Sequence, residues 1–148
     1  MRASVGVLLT LILATAPAWA ALGEYESSVS LDQQALRSED RVQTFQAYKV
    51  HELTSANGTI VREYVSPEGK VFGIAWKGHF APDMRQLLGP SYAEFQQALQ
   101  SRAPRRGAPL IVRTDELVFV SAGHMRAYYG HAYVPSLVPS NISAEVVR

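Results

Sequence analysis

The sequence predicts an α+β domain: a mainly antiparallel sheet with one helical layer. Two groups of strand-like segments are separated by a stretch with helical periodicity, and turn residues join the strands within each group. Because strands joined by short turns pair antiparallel, and the order strands, helices, strands is typical of α+β domains, we expect a three-stranded meander, then helices, then two or three more strands.

The first group is a meander with two tight turns. Its strands are rich in β-branched and aromatic residues and are predicted at Gln46 to Leu53, Thr59 to Val65 and Val71 to Trp76. Asn57-Gly58 tolerates positive φ and predicts a hairpin turn. Pro67 lies at the second position of a turn from Ser66 to Gly69, which predicts the next reversal.

The third strand has one bulky face and one small face. Alternation places Phe72, Ile74 and Trp76 on one side, and its other residues are the smaller Val71, Gly73 and Ala75. The bulky side is expected to face the core. The small side either admits a close neighbour, or Gly73 marks a bulge or a tight twist.

Two short helices are predicted next. Asp83 is a plausible N-cap for Met84 to Leu88, and Gly89 is a stop signal. Ser91 and Glu94 have the spacing of a capping box at the start of the second helix. In that helix Tyr92, Phe95 and Leu99 share one face.

The last group returns to strand. Strands are predicted at Leu110 to Arg113, Leu117 to Ala122 and Met125 to Tyr129, with Ala132 to Val134 continuing the third. Thr114 to Glu116 forms the turn between the first two. Gly130 interrupts the third strand, which indicates a bulge.

The chain begins with the pattern of a cleavable signal peptide. Arg2 supplies a positive charge, residues 5–16 are mostly apolar, and Ala18-Trp19-Ala20 has the small residues that signal peptidase requires. The apolar run is shorter than the roughly 20 residues of a spanning helix. We therefore expect cleavage after Ala20, and a mature protein that is periplasmic or secreted.

The remaining chain divides into a polar lead-in at 21–45, one α+β domain at 46–139 and a C-terminal tail at 140–148. Within the lead-in, a helix is predicted from Leu31 to Leu36. We expect no transmembrane segment in the mature chain.

Composition excludes several classes of site. The chain has no cysteine, so disulfide frameworks, zinc–cysteine sites and thiol catalysis are excluded. Arg2 is the only charged residue of the predicted signal, which leaves 13 of the 14 Lys and Arg against 13 Asp and Glu. A net charge of zero argues against a nucleic-acid partner.

No catalytic motif, glycine-rich phosphate loop or metal-ligand spacing is present, and no cofactor is expected. The densest unusual segment runs from Arg126 to Tyr133 and holds three tyrosines. Tyr129, His131 and Tyr133 share a face if Gly130 does not shift the register. Such side chains bind sugar rings or a peptide edge, although tyrosine is also an ordinary strand residue. The candidate binding residues are Arg62, Trp76, Arg126, Tyr128, Tyr129 and Tyr133.

Many of these residues also carry a family resemblance, which spans about Leu22 to Pro139. They are His51-Glu52-Leu53, Gly58-Thr59, residues 61–67, Gly69, Val71-Phe72, Ala75-Trp76, Pro82-Asp83, Leu87-Leu88-Gly89, residues 123–128, Gly130, Ala132-Tyr133 and Pro135. Together they resemble an exported Gram-negative bacterial family, the domain of unknown function numbered twenty-eight forty-four. The resemblance implies export and a single domain, and it implies no activity.

Two functions remain open from the sequence. The first is a non-enzymatic binding module that contacts an unknown envelope or extracellular partner or ligand through its sheet. The second is a small hydrolase or metal-binding enzyme that uses His51, His124 or His131 with a carboxylate such as Glu63 or Asp115. We favour the binding module, because no motif supports catalysis.

Overall fold

The computed structural model describes residues 22–101 and 107–148, which form one seven-stranded sheet with the strand order β1-β2-β3-β4-β7-β6-β5. Every neighbouring pair is antiparallel, so the predicted α+β class is confirmed. The strands are β1 Ser38–Thr44, β2 Lys49–Ser55, β3 Ile60–Val65, β4 Val71–Gly78, β5 Leu110–Arg113, β6 Val118–His124 and β7 Ala127–Tyr133. The helices are α1 Val29–Leu36, α2 Met84–Leu88 and α3 Tyr92–Gln100. The predicted signal peptide at 1–20 lies outside the described residues, as do Arg102, Arg105 and Arg106 of a loop that the sequence predicts at 102–109.

The segment predicted as a polar lead-in supplies two elements. Helix α1 begins at Val29, before the predicted Leu31, and Ser38–Thr44 forms β1 at the edge of the sheet. Its pairing with β2 runs from Ser38 opposite Ser55 to Thr44 opposite Lys49. All residues of β1 after Ser38 are exposed. An exposed edge strand needs no alternation of apolar and polar residues, so the sequence pattern that identifies half-buried strands is absent here.

The helices cover one face of the sheet, which we call the helix face. Its core joins Leu87, Leu88 and Phe95 of the helices to residues of the central strands. These strand residues are Leu53, Val61, Val65, Val71, Ile74, Trp76, Val112, Phe119 and Ala132. Within the described ranges, no helix is both long enough and apolar enough to cross a bilayer.

The opposite face, which we call the open face, is covered at one end by the C-terminal segment. This segment contains two short 3-10 turns, Pro135–Leu137 and Ala144–Val146. Val147 is buried in a second core cluster with Tyr64 and Phe72. The residues predicted as a tail therefore pack against the sheet.

A bulge in β4 changes the predicted division of its side chains. Tyr64 pairs with Gly73, but the next residue, Val65, pairs with Val71, which leaves Phe72 as the extra residue. Phe72 therefore joins the cluster on the open face, while Ile74 and Trp76 belong to the core of the helix face. The prediction that all three share a face is wrong. Both sequence interpretations of Gly73 hold in part, since the bulge adjoins it and Val147 packs closely over it.

Strand β7 runs through Gly130 without a bulge. Its pairing with β4 is regular from Tyr133 opposite Gly73 to Tyr128 opposite Gly78, so the predicted interruption is wrong. A Cβ atom at Gly130 would collide with the indole ring of Trp76 and the carbonyl oxygen of Val120. The glycine is therefore explained by close packing and not by a change of register.

The two later helices begin in different ways. The Asp83 side chain accepts a hydrogen bond from the backbone N–H of Arg85 at 2.9 Å, which confirms the predicted N-cap. Ser91 instead ends a 3-10 turn in helical conformation (φ −73°, ψ −6°), and its side chain makes no capping hydrogen bond. The predicted capping box is therefore wrong, because an N-cap residue needs an extended backbone. The predicted face of α3 is confirmed, since Phe95 is buried and Tyr92 and Leu99 pack against the core.

Candidate ligand-binding site

The uncovered part of the open face contains a groove across β3, β4 and β7. Two cross-strand rows form it, Arg62–Ala75–His131 and Ile60–Lys77–Tyr129. Residues directly opposite on adjacent strands project to the same side of a sheet, so these six side chains share one surface. The groove has a volume of about 300 Å³.

One wall of the groove is fixed by a hydrogen-bonded arginine. Nε of Arg62 donates to Oε2 of Glu52 at 2.8 Å, and its Nη1 donates to the carbonyl oxygen of Arg148 at 3.4 Å. The hydroxyl of Tyr64 donates to the same carbonyl at 2.8 Å. The C-terminal segment thereby closes one end of the groove and holds the guanidinium in place.

Besides the ion-paired Arg62, the groove presents the cation Lys77 on a largely apolar surface. Lys77 is exposed and forms no ion pair with a carboxylate of the described part of the chain. Burial lowers the pKa of His131, because the charged imidazolium loses hydration. His131 is therefore neutral at neutral pH, and its ring offers one donor and one acceptor.

An exposed aromatic ring lies on the other side of the groove from Arg62. Tyr129 is 57% exposed. On β6, the neighbouring strand, Ala122 and Val120 lie opposite Tyr129 and His131, so the apolar floor continues beyond the groove. A planar ring placed here would contact Tyr129 and an aliphatic surface together.

A second hollow adjoins the groove at the end of the sheet. It has a volume of about 490 Å³ and shares Ile60, Lys77 and Tyr129 with the groove. Its remaining lining residues lie at the ends of β4 and β7 and in the adjoining turns: Gly58, Gly78, His79, Arg126, Ala127 and Tyr128. Arg126 has a left-handed backbone (φ 66°) in the turn between β6 and β7.

The structure brings five of the six candidate binding residues to this surface. Arg62, Trp76 and Tyr129 line the groove, and Arg126 and Tyr128 line the adjoining hollow. Tyr133 shares the face of Tyr129 but packs against the C-terminal segment. Trp76 is almost fully buried, and its ring packs in the core of the helix face against Phe119 at a centroid distance of 5.4 Å.

The candidate histidines lie in separate places. The ring of His51 on the helix face bridges two carboxylates, with Nδ1 2.8 Å from Oδ2 of Asp40 and Nε2 3.1 Å from Oε1 of Glu26. His131 lies on the open face, and His124 is exposed at the end of β6. Among the described residues, no three side chains of His, Asp or Glu are grouped so that they could hold a metal ion.

A buried carboxyl pair on the helix face was not predicted. Asp32 of α1 and Glu63 of β3 are both fully buried. Nε2 of Gln86 donates to Oδ1 of Asp32 at 2.8 Å. Burial raises the pKa of both carboxyls, and the neighbouring charge of Asp32 raises the pKa of Glu63 further, to well above its ordinary value. Burial and the neighbouring charge therefore favour the protonated form of Glu63.

The carboxyl pair is too enclosed to meet a substrate, so we assign it to the core and not to the site. The sequence feature that could have predicted this pair is the position of Glu63. Val61, Glu63 and Val65 project to the helix face in turn, and a carboxylate between two buried valines requires a partner.

A sequence model for the family described as "Protein of unknown function (DUF2844)" matches residues 18–147. No curated protein matches the chain, and no solved structure does.

Proposed function

The chain belongs to the DUF2844 family of proteins of unknown function, and we propose that it is an exported, non-enzymatic module that binds an anionic, ring-containing ligand on the open face of its sheet. The signal-peptide pattern of residues 1–20 supports export. The groove supports binding without catalysis, since its side chains include no paired nucleophile and base.

The observation that carries this proposal is the pair of cross-strand rows. They place the cation Lys77 beside the exposed ring of Tyr129, and Arg62, which is paired with Glu52, across the groove from it. Cations attract an anionic group, and an aromatic face stacks against a planar or sugar ring. The volume is at the lower end of the roughly 300–1,000 Å³ usual for small-molecule sites, which suits one or two rings. An acidic sugar has both required features.

Replacing Tyr129 by alanine should weaken binding of an oligogalacturonate, a simple acidic sugar, by about tenfold, since a stacked ring contributes about 1.4 kcal/mol. Lys77→Gln should also weaken binding and make it less sensitive to salt. Isothermal titration calorimetry of the purified protein measures both effects.

Tyr25→Ala is a matched control, because Tyr25 is equally exposed, at 59%, and lies outside the groove. It should bind the oligosaccharide as the unchanged protein does. The proposal fails if the unchanged protein does not bind the probe, or if Tyr129→Ala and Tyr25→Ala bind it equally well.

A further inference from the structure

One end of the sheet carries protruding apolar side chains among cations, and we propose that this surface docks on an anionic lipid bilayer. We call it the end surface and define it by Lys77, Phe80, Met125, Arg126 and Tyr129. This proposal concerns the location of the protein at a membrane, and it is therefore separate from the proposed binding of a ligand in the groove.

The topology brings these residues together. Gly78 at the end of β4 pairs with Tyr128 near the start of β7. Phe80 follows β4 closely, and Met125 and Arg126 form the turn that leads into β7. All of them therefore lie at the same end of the sheet.

The end surface exposes three large apolar side chains to solvent. Met125 is 86% exposed and Phe80 is 62% exposed. With Tyr129, they are three of the six large apolar side chains that are exposed in the described residues. The others, Tyr25, Val42 and Phe45, lie elsewhere in the fold. Exposed apolar side chains grouped in this way mark an interaction site.

The positive charge of the end surface favours an anionic partner. Residues 55–60, 77–82 and 121–129 include Lys77, Arg126 and two histidines but no Asp or Glu. The next acidic residue, Asp83, caps α2 through its side chain. Two copies of the chain meeting at this end would bring like charges together, which disfavours a homodimer. Anionic headgroups match the charge.

The shape of the end surface favours a bilayer over a folded protein partner. Met125 projects from a tight turn and Phe80 from a loop, as side chains that enter the interfacial region of a membrane do. Tyrosines beside them suit the headgroup level, where an aromatic ring meets water. Cations around such apolar side chains gain from a negative surface potential.

Vesicle flotation tests the proposal. The protein used should be recovered after export, and mass spectrometry should confirm that residues 1–20 have been removed, because an apolar leader would bind lipid by itself. The protein should float with vesicles of equal parts phosphatidylglycerol and phosphatidylcholine. It should remain unbound with pure phosphatidylcholine, and high salt should weaken its binding. Binding to both vesicle types alike, or to neither, would overturn the proposal.

The double variant Phe80→Ser/Met125→Ser should bind anionic vesicles at least about tenfold more weakly and should still bind the groove probe. Arg126→Glu should weaken vesicle binding as well. The control is Val42→Ser/Phe45→Ser, which removes exposed apolar side chains at β1 and should leave vesicle binding unchanged. Equal loss in the two double variants would refute this surface.

Inorganic phosphate separates a bilayer from a single anion. If phosphate displaces the protein from vesicles while sodium chloride of the same ionic strength does not, the surface binds one headgroup-sized anion, and bilayer docking is wrong. Equal effects of the two salts support docking. Loss of the groove probe by Arg62→Gln, with vesicle binding retained, would show that the two proposals are independent, because Arg62 lines the groove and lies outside the end surface.

Discussion

Replacing Glu63 by glutamine should raise the free energy of unfolding at neutral and alkaline pH and make it less dependent on pH. Glu63 is fully buried beside Asp32, and its pKa in the folded protein is raised well above its ordinary value. In the unfolded chain it ionises near its ordinary pKa, roughly 4.3. Between these two pKa values the unfolded state releases a proton that the folded state keeps.

The sign of the effect follows from that difference. Below the unfolded pKa both states are protonated, and the native protein has its full stability. As the pH rises towards the folded pKa, the free energy of unfolding falls by about 1.4 kcal/mol per pH unit for each retained proton. Glutamine does not titrate, and its amide can donate to the carboxylate of Asp32. The advantage of the variant should therefore grow with pH.

Urea denaturation at several pH values from about 5 to 9 measures the difference between the two proteins. Glu39→Gln is the matched control, because Glu39 is exposed on β1, and it should follow the unchanged protein at every pH. A gap between Glu63→Gln and the unchanged protein that stays constant or shrinks as the pH rises would contradict the buried pair.

Replacing Gly130 by alanine should lower the free energy of unfolding by about 3 kcal/mol, the upper range for overpacking a core. The new Cβ would collide with the Trp76 ring and with the carbonyl oxygen of Val120. The carbonyl belongs to β6, which pairs with β7 at this point. Neither group can move away without disturbing the sheet or the core.

A comparison with Gly73 tests the cause of this loss. A Cβ at Gly73 would lie 2.6 Å from Cγ2 of Val147, a side chain that can shift. Gly73→Ala should therefore cost less than Gly130→Ala. Adding Trp76→Phe to Gly130→Ala should give a smaller total loss than the sum of the single losses. Additive losses in thermal unfolding would show that the ring is not the obstacle.

Much of the fold could be predicted because local signals determine it. The meander could be predicted from Asn57-Gly58 and from the turn around Pro67. Helix α3 could be predicted from the face that Tyr92, Phe95 and Leu99 share. Prediction from local sequence signals failed where residues far apart in the sequence determine the structure. The bulge at Phe72 depends on the pairing of β4 with Tyr64 and Val65. The requirement for glycine at position 130 depends on the position of the Trp76 ring.

The candidate site was recognised in part for the same reason. Arg62 and Tyr129 came from strand alternation and residue type, and both line the groove. Lys77 was missed because the predicted strand ended at Trp76, two residues before the end of β4 at Gly78. Trp76 also borders the groove, but its ring belongs to the core of the helix face, and alternation alone does not tell which face meets the helices. Asp32 and Glu63 meet only when α1 packs on the sheet.

The charged outer strand has a consequence for the protein at high concentration. A sheet that does not close leaves a row of unsatisfied backbone groups along β1, and an edge of this kind can recruit another chain into a growing fibril. Glu39 and Arg41 are exposed on this strand, and burying such charges against an incoming chain is costly. At high protein concentration these charges therefore protect the sheet from aggregation through this edge.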